Sequence, residues 1–145
     1  MGNALWEKYQ TAVRQYDLCT QADCFMEAFQ RTASHDMQSF FAGKSDILFV
    51  TILQALQNHN GQQALQCFSF FSQELFRVHP LFYFLRGKTF YVLARYQAAE
   101  ADFLQYMEYC PEDEAVYFYL GNLYAMTKRI DKALSFYEMA LSCRK

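Results

Sequence analysis

The sequence predicts an all-α protein made of a string of helices. Only two prolines and five glycines occur in 145 residues. Four of these, Gly43, Gly61, Pro80 and Pro111, lie between segments of helical apolar periodicity, where helices end. No segment rich in Val, Ile and Thr shows the strict alternation of a half-buried strand. An internal repeat of 34 residues in the C-terminal part of the chain sets the architecture.

The apolar pattern predicts eight helices, in chain order. We expect them near residues 3–17, 21–35, 46–58, 61–76, 80–93, 96–109, 114–127 and 130–143. Segment 37–44 interrupts the pattern and is either a short helical turn or a linker. Ser45 and Asp46 follow it and are suited to cap the next helix.

The repeat is visible when residues 80–113 are laid over the chain from residue 114 onward. The two copies share aromatic, small and basic residues at the same offset. The matches are Tyr83 with Tyr117, Gly87 with Gly121, Phe90 with Tyr124, Arg95 with Arg129, Ala99 with Ala133 and Phe103 with Tyr137. Six matches at one offset are hard to obtain by chance.

These positions resemble the tetratricopeptide repeat, whose consensus alternates aromatic and small residues at fixed places. In the last copy they are Tyr117, Leu120, Gly121, Tyr124, Ala133, Tyr137 and Ala140; in the preceding copy they are Tyr83, Gly87, Phe90, Ala99, Phe103 and Pro111. Small residues belong where two antiparallel helices come closest, with aromatic rings on either side. The copies depart from the consensus at Arg86, where Leu is usual, and at Tyr106, where Ala is usual; the second is expected to push the next helix pair outward.

The resemblance implies antiparallel helix pairs stacked in a short right-handed superhelix. Three repeats, 45–79, 80–113 and 114–145, form one structural unit, and the first is degenerate because Ile52 replaces the small residue. Residues 1–44 are either an N-terminal helical extension or an eroded repeat. An apolar stripe of Leu5, Tyr9, Val13 and Tyr16 is expected along the first helix, and Trp6, Ala22 and Met26 keep the repeat spacing.

In this family the first helix of each pair lines a concave groove, which is where a partner is expected to bind. The groove positions are Phe49, Leu53, Leu56, Leu81, Phe84, Lys88, Tyr91, Phe118, Asn122 and Ala125. Most are apolar, which suits an amphipathic helix or an extended peptide. The alternative is that these side chains pack against an N-terminal helix or against neighbouring repeats. The Lys, Asn and Arg that clamp a carboxylate in chaperone-tail receptors are absent from their places.

The size, the repeats and the apolar groove are similar to those of the tetratricopeptide chaperones of bacterial type III secretion. That likeness implies a chaperone that masks an apolar helix of a needle or translocator subunit. A generic intracellular adaptor or assembly scaffold is the alternative function. A second small co-chaperone, or homodimerisation through Trp6, is the further use of spare apolar surface. The last helix ends the chain, so we expect Phe136, Met139 and Leu141 to need a cover.

Other functional classes find little support in the sequence. The net charge of −2 and the lack of a Lys or Arg run argue against nucleic acid and acidic membranes. The longest apolar stretches are far shorter than a membrane span needs, and the N-terminus shows no export signal. Five widely spaced cysteines are expected to be reduced and buried, which favours a cytoplasmic location. Cys19, Cys24 and His35 do not make a zinc pattern, so we expect no metal, no cofactor and no enzymatic activity.

Overall fold

The computed structural model describes residues 3–15, 17–32, 45–71 and 73–143. Over these residues the protein is all-helical and contains no strand, which confirms the predicted fold class. The helices are α1 (Asn3–Arg14), α2 (Leu18–Thr32), α3 (Ser45–Gln57), α4 (Gly61–Phe68), α5 (Gln73–Val78), α6 (Leu81–Val92), α7 (Tyr96–Tyr109), α8 (Glu114–Met126) and α9 (Ile130–Ser142). Segment 37–44, Tyr16 and the predicted end of the second helix lie outside the described residues.

The single helix predicted over 61–76 is wrong, because the chain forms α4 and α5 there instead. The Ser69 hydroxyl donates to the Gln66 carbonyl at 2.5 Å, a local bond that competes with helix continuation. The amide of Phe71 then bonds the Phe68 carbonyl at 3.0 Å, which tightens the last turn. Apolar periodicity continues through this break, so periodicity alone did not reveal it.

Three interhelical turns share one backbone conformation. His59, Ala94 and Lys128 have φ values of 58°, 60° and 65°. After each of them the next amide, of Asn60, Arg95 or Arg129, donates to the carbonyl five residues back, at 2.7, 2.9 and 2.8 Å. This is the Schellman stop, which satisfies a terminal carbonyl of the preceding helix. The same stop therefore ends α3, α6 and α8, the first helices of the three predicted pairs.

The described chain forms two compact units, Met1–Phe82 and Tyr83–Lys145, which we call the first and second unit. In the first unit α1 packs on α2, α2 on α3 and α5, and α3 on α4. Its centre is a cluster of aromatic rings with at most 1% exposure, formed by Tyr9, Phe25, Phe49, Phe76 and Phe82. The rings of Phe25 and Phe49 stack with their centroids 5.2 Å apart. Helices α1 and α2 therefore supply core side chains to the first unit.

His79 lies in this aromatic core, immediately after α5. It is fully buried, with its ring centroid 4.9 Å from that of Tyr9 and 5.6 Å from that of Phe82. Burial disfavours the imidazolium and lowers the pKa of His79 to about 4. The histidine is therefore neutral in the folded protein near neutral pH.

The second unit contains two helix pairs, α6 with α7 and α8 with α9, each held together at a glycine. A Cβ added to Gly87 would lie 2.7 Å from the Phe103 ring, and one added to Gly121 would lie 2.6 Å from the Tyr137 ring. Such distances leave no room for a side chain, so glycine sets the spacing in both pairs. The predicted close approach is therefore present twice, 34 residues apart. Superhelical stacking of three pairs stays a prediction.

The two departures from the consensus in α6 and α7 both make polar contacts. Arg86 forks onto the carboxylate of Asp102 with two bonds of 2.8 Å, and Asp102 is 5% exposed. The Tyr106 hydroxyl donates to Asp113 at 2.5 Å, so Tyr106 anchors the start of α8. At the matching positions of the last pair, Leu120 and Phe136 replace the ion pair.

We expect Arg86→Leu alone to destabilise the protein by about 3–5 kcal/mol, because it leaves the buried Asp102 carboxylate without its guanidinium. The double variant Arg86→Leu/Asp102→Phe copies the last pair and should recover most of that loss. Urea unfolding of the wild type, both single variants and the double variant measures the coupling free energy. Strictly additive losses would mean that the two side chains do not stabilise each other.

We also expect the unfolding free energy to fall as the pH drops from 6.5 to 4. In this range His79 binds a proton in the unfolded chain, where its pKa is the usual 6.5, but stays mostly neutral in the folded protein, where its pKa is about 4. The loss amounts to about 3 kcal/mol, is absent above pH 6.5 and grows as the pH falls toward the folded pKa. Urea unfolding at several pH values, with His79→Phe as the comparison, isolates this contribution. Parallel pH curves for the two proteins would contradict it.

Candidate functional site

Four of the predicted groove residues lie in the first unit. Phe49 is fully buried and packs on Phe25, so its side chain is a core residue and is closed to a partner in this structure. Leu53 and Leu56 are half-buried on α3, and Leu81 is half-buried at the start of α6. We therefore do not include Phe49 in the candidate site.

Three more of the predicted residues converge on one ring in the second unit. Phe84 meets Tyr119 edge to face with centroids 5.4 Å apart, and Tyr91 meets it at 5.9 Å. The Lys88 ammonium lies 5.5 Å from the centre of the same ring. Phe84 is left only 8% exposed, so α8 covers it and it is not an open groove residue.

The last three predicted residues lie on α8 and are more accessible. Phe118 is 52% exposed, and its ring centroid lies 5.8 Å from that of Tyr137. Asn122 is half-buried and accepts a hydrogen bond of 2.5 Å from the Tyr137 hydroxyl. Ala125 is half-buried one turn further on. Of the ten predicted positions, Phe118 is therefore the one with a largely exposed aromatic side chain.

A pocket of about 530 Å³ opens beside Phe118, between α8 and the C-terminal half of α9. Its walls are mostly apolar, with one carboxylate and two phenol hydroxyls among them. The lining residues are Glu114, Ala115, Phe118, Tyr119, Tyr137, Ala140 and Leu141. The volume lies within the range of ligand-binding pockets.

Exposed aliphatic side chains continue this apolar surface along α9. Ile130, Leu134 and Leu141 are 54–60% exposed. Their spacing of four and seven residues places them on one side of the helix, together with Tyr137. We call Phe118, Ile130, Leu134, Tyr137 and Leu141 the terminal face.

The expectation that Phe136, Met139 and Leu141 need a cover is partly wrong. The Phe136 ring is half-buried and stacks on the rings of Tyr117 and Tyr124, at 6.3 and 5.3 Å, so it already has its cover. Met139 and Leu141 are exposed, at 41% and 60%. Sequence reasoning did not select Ile130 or Leu134, although both stand on the helical stripe of Leu141 in the sequence.

Three titratable groups between α7 and the end of α8, Glu100, Tyr124 and Arg129, are engaged in structural contacts. The Tyr124 hydroxyl donates to Glu100 at 2.6 Å, and burial together with this carboxylate raises the pKa of Tyr124 to about 12. The Arg129 guanidinium lies 3.2 Å from the same carboxylate and 4.5 Å from the centre of the Tyr124 ring. These groups tie α7 to the end of α8.

The cysteines form no disulfide, but they are not all buried. Cys24 and Cys67 are buried, whereas Cys19 is exposed, which corrects the expectation for that residue. Burial raises the pKa of the Cys24, Cys67 and Cys110 thiols, so these three are poor nucleophiles. Across the described residues, no group of three or more His, Cys, Asp or Glu side chains is placed to hold a metal ion. His35 lies outside the described residues.

Two comparisons with known proteins found no match. No protein-family model matches it, and no curated protein is similar enough to count as a relative. The tetratricopeptide resemblance therefore stays a prediction. None of the helices in the described segments has the length and apolar character to cross a membrane.

Proposed function

We propose that this protein is a tetratricopeptide-type binding module that holds a helix of another protein on its terminal face. The observation that carries this proposal is the exposure of Phe118, Ile130, Leu134 and Leu141, each more than half exposed. Phe118 and Leu141 line the pocket, and Ile130 and Leu134 continue the exposed stripe along α9. Contiguous apolar surface of this kind is costly in water and is typical of interaction sites.

The shape of the terminal face favours a helix or peptide over a small molecule. From Ile130 to Leu141 the exposed stripe runs along α9 for roughly 16 Å, at 1.5 Å per residue. A small ligand fills the pocket but leaves Ile130 and Leu134 in water. An amphipathic helix laid along α9 covers the pocket and the stripe together.

The chemistry of the pocket favours binding over catalysis. Glu114 is the carboxylate among the lining residues, and none of them is a histidine, cysteine, serine or threonine. Nucleophilic catalysis by a serine, threonine or cysteine side chain therefore has no candidate residue in these walls, and neither has acid–base catalysis by a histidine. The Tyr137 hydroxyl is bonded to Asn122, which is a positioning contact.

The more specific form of the proposal is a cytoplasmic chaperone that masks an apolar helix, as the type III secretion chaperones do for needle or translocator subunits. The aliphatic and aromatic makeup of the terminal face supports this form, because a helix that binds there is itself apolar and prone to aggregate when free. An adaptor or assembly scaffold is the alternative, and its ligand is soluble without the module.

Capture from a lysate of the native host tests this proposal, with wild-type protein and Phe118→Glu as paired baits and mass spectrometry as the readout. We expect at least one protein to be retained by the wild type and lost by the variant, because the added carboxylate must be desolvated under a bound helix. Met139→Glu is the control, since that exposed side chain on α9 does not line the pocket.

Identical captured proteins on all three baits would contradict binding at the terminal face. Co-expression of a captured protein then separates the two forms of the proposal. A chaperone keeps its partner soluble, whereas the partner of an adaptor is soluble whether or not the module is present.

A further inference from the structure

We infer that the terminal face binds an amphipathic helix of a partner protein, which lies antiparallel to α9 and places a bulky aromatic residue in the pocket. The terminal face is equivalent to the surface of α6 and α7 on which α8 packs. We call such a helix-binding surface a seat; the one on α6 and α7 is occupied, and the one on α8 and α9 is vacant. This inference rests on the proposed function and adds the direction and the chemistry of the bound segment.

The occupied seat lies on α6 and α7, and its central contact is the ring of Tyr119. That ring lies 5.4 Å from the Phe84 ring and 5.7 Å from the Phe103 ring, measured between centroids. Tyr106 stacks on Phe84 at 5.1 Å and completes the apolar surface. A helix of this chain thus docks on a helix pair by inserting one aromatic ring.

Two hydrogen bonds fix the direction in which α8 docks. At the C-terminal end of α7, the Tyr106 hydroxyl donates to Asp113, which also caps α8 by accepting from the Ala115 amide at 3.0 Å. Toward the N-terminal end of α7, Glu100 accepts from the Tyr124 hydroxyl at 2.6 Å. Helix α8 is therefore antiparallel to α7.

A shift of 34 residues carries this seat onto the terminal face. Phe84 becomes Phe118 and Phe103 becomes Tyr137, so the aromatic pair that receives the inserted ring is kept. The exposure of the first ring rises from 8% at Phe84 to 52% at Phe118. Within the described part of the second unit, no side chain takes the place over Phe118 that Tyr119 takes over Phe84.

The residues that differ define the chemistry of the occupant. Ala140 stands where Tyr106 stands in the occupied seat, which removes a ring and leaves space for a bulky aromatic side chain. Leu134 replaces Glu100, and Asn122 replaces Lys88, so an anchoring carboxylate and a cation over the ring are both lost. The occupant therefore presents an aromatic residue to the pocket and an aliphatic residue to Leu134.

A partner protein fits this description better than a second copy of the chain. The exposed stripe that a second copy would offer from its own α9 consists of Ile130, Leu134 and Leu141, which are aliphatic. None of them supplies a ring for the space beside Ala140, and Phe118, the exposed ring of the terminal face, already lies beside Tyr137 in each copy, where it forms part of that copy's own seat. Tyr119, the ring that fills the equivalent seat, is already engaged within each copy.

Fluorescence anisotropy measures the seat directly on the full chain, with a labelled peptide of residues 113–127 that carries Tyr124→Leu. This peptide is the chain's own docking helix with an aliphatic residue in place of the tyrosine that bonds Glu100, the counterpart of Leu134. We expect binding that Phe118→Glu and Leu141→Glu each weaken by at least about tenfold, which corresponds to about 1.4 kcal/mol. Met139→Glu is the matched control and should stay within about twofold of wild type. A peptide with Tyr119→Ala should lose binding to the same extent as the two seat variants.

Circular dichroism establishes that the variants are folded, and Leu141→Glu serves as the second seat variant if Phe118→Glu is not. A peptide that merely displaced native α8 would bind all three protein variants equally, and that result would overturn the inference.

Nitroxide labels on the two ends of the peptide give its direction. A label on the N-terminal end should broaden the amide resonance of Cys143 more than that of Ile130, and a C-terminal label should do the reverse. The opposite pattern would overturn the antiparallel seat.

Sedimentation that shows a wild-type dimer lost in Phe118→Glu would overturn the choice of a partner and identify a second copy as the occupant.

Failure of this inference is distinguishable from failure of the proposed function. Loss of host-protein capture by Phe118→Glu, combined with reversed labels or no effect of Tyr119→Ala, rejects the seat geometry and leaves the proposed function standing. Equal capture by wild type and variant rejects the proposed function itself.

Discussion

The packing of an aromatic ring directly on a glycine is the contact on which the second unit depends. Phe103 on Gly87 and Tyr137 on Gly121 bring each pair of helices so close that a Cβ would collide with the ring. The opposite side of each ring is then available to a further helix. For Phe103 that helix is α8, through Tyr119; for Tyr137 the corresponding space is the pocket. One contact, used twice, produces one covered face and one open face.

The two helix pairs of the second unit differ in their polar contacts. In the pair of α6 and α7, the Arg86 guanidinium bonds the buried Asp102 carboxylate, and the Tyr106 hydroxyl bonds Asp113 at the start of α8. A buried ion pair contributes little net stability, but loss of one partner is costly, so such pairs specify which helices meet. On the terminal face Leu134 stands in the place of Glu100, so a helix docked there would be held by apolar burial, with little directional bonding.

Periodicity and the positions of glycine and proline predicted most helices and both close approaches in the second unit. They did not predict the break after Phe68, because the Ser69 side-chain bond and the tightened turn depend on backbone geometry that apolar spacing does not encode. The helical register also predicted more groove side chains open to a partner than the structure has. Helical register identifies the face on which Phe49 and Phe84 lie, but not whether another helix covers that face. The structure buries both side chains.

One further comparison within the sequence indicates the pocket on the terminal face. Comparing residues 34 apart pairs Tyr106 with Ala140 and Glu100 with Leu134, a loss of bulk and of charge. What sequence alone lacks is the exposure that turns those exchanges into a surface. The superhelical arrangement and the chaperone role remain proposals, since they concern stacking and partners beyond the contacts within each unit.

One position of the repeat is covered at Phe84, in the pair of α6 and α7, and open at Phe118, in the pair of α8 and α9. The most direct measurement is the unfolding free energy of Phe84→Glu and Phe118→Glu by urea titration. Phe84 touches three rings, so its replacement should cost more than about 3 kcal/mol, whereas Phe118→Glu should stay within about 0.5 kcal/mol of wild type. Equal losses at the two positions would contradict the account.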